Sequence, residues 1–65
     1  MRHNLIQARK QKGYTQAKTS AFLGVTEQQY QRLEYGKSDG RTKTWEKLYE
    51  LFDGTVPMNQ LMQNT

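Results

Sequence analysis

Glycines at 13, 24, 36, 40 and 54, with a single proline at 57, cut this 65-residue chain into short stretches of helical length. None of these stretches alternates apolar and polar residues for long enough to make a strand, so each is read as a helix closed by a helix stop. The pattern predicts five helices, over about 2–12, 15–23, 26–35, 44–53 and 57–63, in one all-α domain spanning residues 1–65. Thr15 and Thr26 stand where N-capping hydroxyls belong, at the starts of the second and third helices. The chain carries no internal repeat and no low-complexity tract.

Apolar residues make up only 34% of the chain, so the core must be thin. The candidates are Leu5, Ile6 and Ala8 in the first helix and Leu61 in the last. In the fourth, Trp45, Leu48, Tyr49 and Phe52 follow the i, i+3, i+4, i+7 spacing of one helix face. With no cysteine and a single histidine, His3, disulfides and thiolate or multi-histidine metal sites are excluded, and no metal or cofactor is expected. Stability must then come from helix packing or from a second copy. No apolar run is long enough to span a membrane, and the opening MRHNLIQARKQK has no apolar signal segment, so a cytoplasmic protein is expected.

The net charge of +4 is unevenly spread. Residues 1–32 hold six basic side chains and one acid, Glu27, giving +5; residues 33–65 hold four basic and five acidic side chains, giving −1. A basic small domain points to a polyanion, and nucleic acid is the commonest. The second and third helices are joined only by Leu23-Gly24-Val25-Thr26. A short turn with a glycine, then a capping hydroxyl, lets two helices cross steeply, with Val25 plugging the space between them. On the third helix, Thr26, Tyr30 and Leu33 share one side, whereas Gln28, Gln31, Arg32 and Tyr35 point the other way, with Gln29 at the edge. Such a face suits base reading. Glutamine pairs with adenine N6 and N7, arginine with guanine O6 and N7, and Glu27 in the first turn suits cytosine N4. The same residues also describe an ordinary solvated helix face.

The run TQAKTSAFLGVTEQQYQRLEYGK, residues 15–37, resembles the helix-turn-helix of the phage-repressor and Cro class, the XRE family. The resemblance is carried by Thr15-Gln16, by Leu23-Gly24-Val25-Thr26, and by Leu33-Glu34 before Gly36-Lys37. Arg9, Lys12 and Gly13 upstream, with Leu48, Phe52 and Leu61 downstream, extend it over nearly the whole chain. It implies a compact five-helix repressor-like fold whose helix-turn-helix occupies about 15–35. It also implies a major-groove reading helix bearing Glu27, Gln28, Gln29, Gln31 and Arg32. Phosphate contacts are expected from Thr15 and Gln16 at the N-terminus of the second helix, from Thr26 and Tyr35 on the reading helix, and from Lys37, Ser38, Arg41 and Lys43 in the segment after it. In the resembling family an arginine and a glutamate at the positions of Arg9 and Glu34 form a structural ion pair, and the same is expected here. Thr19, Ser20, Tyr30 and the 53–57 connection depart from the family pattern. Phe22 is expected to cover the site that Thr19 leaves short.

These readings converge on a double-stranded-DNA-binding transcriptional regulator, a repressor that occludes promoter DNA as a homodimer on a pseudo-palindromic operator. The dimer surface is expected on the C-terminal helix, at Met58 and Met62. The alternative is a protein-interaction module, antitoxin-like or an anti-repressor partner, which would show an apolar patch in place of the polar face. An enzyme is not expected. No Ser/His/acid or Cys/His set is present, and Glu46 and Glu50 are an i, i+4 pair on an exposed face. No small-molecule effector site is evident.

Overall fold

A computed structural model describes residues 1–65 and has five helices and no strands: α1 (His3–Gln11), α2 (Gln16–Leu23), α3 (Glu27–Glu34), α4 (Thr42–Leu51) and α5 (Met58–Met62). The local signals act as expected at the helix-turn-helix. Thr15 Oγ1 accepts from the Lys18 amide and opens α2. Gly24 closes it at φ 73°, a left-handed backbone that opposes a side chain. Thr26 and Gln29 then form a capping box, the Thr26 hydroxyl accepting from the Gln29 amide and the Gln29 carboxamide from the Thr26 amide.

Helix α4 starts two residues earlier than the sequence suggests, because the Trp45 amide bonds back to the Arg41 carbonyl. It also stops earlier, at Leu51. The Asp53 and Gly54 amides turn back onto Glu50 and Tyr49, and both residues take positive φ. The core is Leu5, Ala8, Leu23, Tyr30, Leu33, Trp45, Leu48, Phe52 and Leu61, with Val25, Leu51, Val56 and Met58 packed on its margin. Ile6 is only half-buried. No helix is long and apolar enough to cross a membrane.

Two aromatic rings are more exposed than expected. Tyr49, placed in the core by its spacing, is exposed; its ring lies over Gly54, where an added Cβ would stand 3.3 Å from the ring. Phe22, expected to cover Thr19, is 48% exposed, while Thr19 itself is fully buried. Thr19 Oγ1 donates to the Thr15 carbonyl at 2.9 Å and Ser20 Oγ to the Ala17 carbonyl at 2.8 Å, so both buried hydroxyls are satisfied within their own helix.

Arg2 is the main feature that the sequence did not reveal. Its side chain is buried, with Nη1 donating to the Leu33 and Ser38 carbonyls, each at 2.7 Å, and Nε to the Met62 carbonyl at 3.0 Å. Its guanidinium also lies 5.2 Å from the Trp45 ring centre. One side chain thus fixes the end of α3, the following loop and α5 against one another. The only hint was an arginine at a helix N-terminus, where the helix dipole disfavours a cation.

Candidate nucleic-acid interface

Helix α3 turns Tyr30, Leu33 and Glu34 inward, and the opposite side is polar throughout. Gln28, Arg32 and Tyr35 are exposed, Gln31 is half-exposed, and together with Lys37 they line one open depression. Glu27 stands exposed in the first turn. The face predicted from helical spacing therefore forms one continuous surface. Gln29 lies at its edge, its carboxamide oxygen engaged by the Thr26 amide in the capping box.

Six of the eight expected phosphate-contacting residues fall into three groups, with Ser38 and Thr26 apart from them. Thr15 and Gln16 mark the N-terminus of α2, where first-turn amides lie outside the helix ladder. Tyr35 and Lys37 border the outward depression of α3. Arg41 and Lys43 stand across a second groove, between α3 and α4, whose floor includes Leu23, Val25 and Leu33. Lys47 lines that groove too and was not singled out from the sequence, although it lies one turn after Lys43. Ser38 is drawn partly inward, its carbonyl accepting from Arg2 and its hydroxyl from the Gly40 amide at 3.4 Å. Thr26 serves as the α3 cap.

Behind the face runs a hydrogen-bonded chain. Arg9 Nε donates to Glu34 Oε2 at 2.7 Å, and Arg9 Nη1 to the Tyr14 carbonyl at 2.8 Å. Glu34 Oε1 accepts from Gln16 Nε2 at 2.9 Å, and Gln16 Oε1 accepts from Gln31 Nε2 at 3.2 Å. Burial disfavours the charged Arg9 guanidinium, but the hydrogen bond and charge of Glu34 outweigh it and hold its pKa above the ordinary value. Tyr30, one turn before Glu34, has a buried hydroxyl without a hydrogen-bond partner of proper geometry. Burial first, then the Glu34 carboxylate, push its phenol well above the usual range. Lys12 is tied to Asp53, whose hydrogen bond raises the ammonium pKa, so this cation serves the junction of α1 with the end of α4.

Met62 is 42% exposed, whereas Met58 packs against the core, so of the two methionines expected at a dimer surface only the former is largely free. A family model described as helix-turn-helix matches residues 5–57. No curated protein and no solved structure matches the chain.

Proposed function

The chain belongs to the Cro/CI-like helix-turn-helix family of DNA-binding regulatory domains, and from that premise we propose that it is a sequence-specific repressor that occupies an operator as a homodimer. The observation that carries this reading is the outward face of α3: Gln28, Gln31 and Arg32 line one depression with base-pairing chemistry, and Tyr35 and Lys37 border it. A face built to hold another protein would expose apolar anchors there.

In this reading α3 enters the major groove with its N-terminal half leading. Glu27, Gln28, Gln31 and Arg32 meet base edges, and Gln29 takes part only with the amide hydrogens that its cap leaves available. Thr15, Gln16 and the α2 amides hold one phosphate strand. Thr26, Tyr35, Lys37, Ser38, Arg41 and Lys43 flank the reading helix and hold the backbone beside it. Such contacts set register, while the base edges carry the sequence information. One helix reads too few base pairs to mark a unique site, so two copies bind half-sites about one helical turn, ~34 Å, apart. Met62 on α5 is the apolar centre of the proposed dimer surface. Occlusion of polymerase requires nothing beyond occupancy, and in this reading the protein, bacterial or phage-encoded, works on its DNA in the cytoplasm.

Selection of bound duplexes from a random pool tests this reading. A palindromic consensus with half-sites one turn apart is expected. Recovery of unenriched sequence would overturn it and leave a helix-turn-helix fold used for protein contact.

A further inference from the structure

The hydrogen-bonded chain behind α3 has a direction, and that direction reaches the proposed DNA surface. Both Glu34 oxygens accept: Oε2 takes the Arg9 Nε–H at 2.7 Å, and Oε1 takes an N–H from Gln16 at 2.9 Å. Gln16 must therefore turn its NH2 toward Glu34, which leaves its oxygen facing Gln31. Gln31 must in turn spend one N–H on Gln16. The head of the chain, 99% buried at the Glu34 side chain, thus dictates the orientation of a carboxamide at the solvent edge.

We infer that Gln31 is a specificity-determining residue that reads adenine, and that Gln16 and Glu34 are its positioning residues. The inference deepens the major-groove reading of α3 and rests on it. Gln31, with one N–H engaged by Gln16, keeps its carboxamide oxygen and its second N–H. These form the acceptor–donor pair that matches adenine N6–H2 and N7. An unrestrained glutamine could flip its amide and would also accept the reversed pattern of a donor–acceptor edge. The restraint from Gln16 removes that option and lowers the ordering cost of the pair, since the side chain is already held before DNA arrives. Gln28, exposed and with no such partner, is not restrained in this way.

The test compares wild-type protein with Gln16→Met and Gln31→Glu, each taken through selection from a random duplex pool and then titrated on the selected duplexes. For the wild type, one position per half-site should require adenine. Replacing that adenine by guanine, or by 7-deazaadenine, which lacks the N7 acceptor, should weaken binding about 5- to 100-fold for guanine and less for the deaza base. Gln16→Met should bind all duplexes less tightly, because Gln16 also lies at the phosphate-facing end of α2, but its adenine-to-guanine ratio should collapse towards one. Gln31→Glu, which can only accept, should shift the same position towards cytosine, whose N4–H2 is a donor. A melting curve for each variant shows that it is folded. If Gln16→Met loses affinity but keeps the wild-type adenine-to-guanine ratio, Gln16 does not position Gln31 and the inference is overturned while the DNA-binding reading stands. If Gln31→Glu selects the wild-type base, Gln31 does not read that position, with the same consequence. If wild-type protein enriches no sequence at all, the reading and the inference fall together.

Discussion

Arg9 on α1 and Glu34 in the last turn of α3 meet at 2.7 Å, with side chains only 10% and 1% exposed. Residues 25 positions apart are thereby joined by a charged hydrogen bond in a nearly dry site. Removing either partner leaves the other charge buried, which costs about 3–5 kcal/mol. Arg9→Ala and Glu34→Ala should each melt far below wild type. The double variant should be much less destabilised than the sum of the two, as measured by thermal or urea unfolding. Small additive losses would contradict the pairing.

Arg2 is expected to matter as much, although it makes no ion pair. Arg2→Ala leaves the Leu33 and Ser38 carbonyls without their donor and strips the cation from the Trp45 ring, a loss of about 3 kcal/mol. Arg2→Lys keeps the charge but not the planar fork, and should recover only part of it. Hydrogen exchange should report faster opening of the 36–41 segment in both variants.

Tyr30 carries an expectation about pH. Its buried hydroxyl makes no hydrogen bond of good geometry yet lies close enough to Glu34 and Arg9 to feel both, so Tyr30→Phe should change stability at neutral pH by no more than about 1 kcal/mol. The pH dependence follows from the raised phenol pKa. Below the unfolded value of about 10 both states are protonated and the contribution is constant. Above it the unfolded chain ionises first, so stability falls as pH rises through that range. Tyr30→Phe should flatten the alkaline limb of the stability curve.

Lys37 lies beside the reading face and is expected to meet phosphate, not bases. Lys37→Ala should weaken binding to all duplexes about equally and reduce the slope of log affinity against log salt by about 1. Met62→Asp should reduce cooperative binding to a two-half-site duplex, seen in sedimentation and gel-shift titration, while leaving a single half-site bound as in wild type. Unchanged dimer binding would place the interface elsewhere.

Much of the fold can be read from residues that act locally. Thr15, Gly24 and Thr26 set the helix-turn-helix through contacts no more than five residues away, so spacing alone places them. The polar face of α3 follows from the 100° step of a helix, because its inner side is fixed by Tyr30 and Leu33. What spacing cannot provide is the partner of a long polar side chain. Arg2 finds its acceptors 31, 36 and 60 residues away. Gln16, read as a phosphate contact, has its carboxamide held from behind by Glu34. Tyr49 fits the stripe of α4, but the helix ends two residues later and its ring turns onto Gly54.

In the proposed function the exposed side of α3 reads base edges, and Arg32 places a guanine-compatible fork on that side. The decisive measurement is the ratio of Kd on a scrambled duplex to Kd on the selected operator, for wild type and for Arg32→Ala at one fixed salt concentration. Loss of a guanine-reading fork should cut this ratio by a factor corresponding to about 1–3 kcal/mol, with the scrambled-duplex Kd nearly unchanged and preference relaxed at one position per half-site. If Arg32→Ala weakens operator and scrambled DNA equally, Arg32 meets only the backbone and α3 does not read sequence through this face.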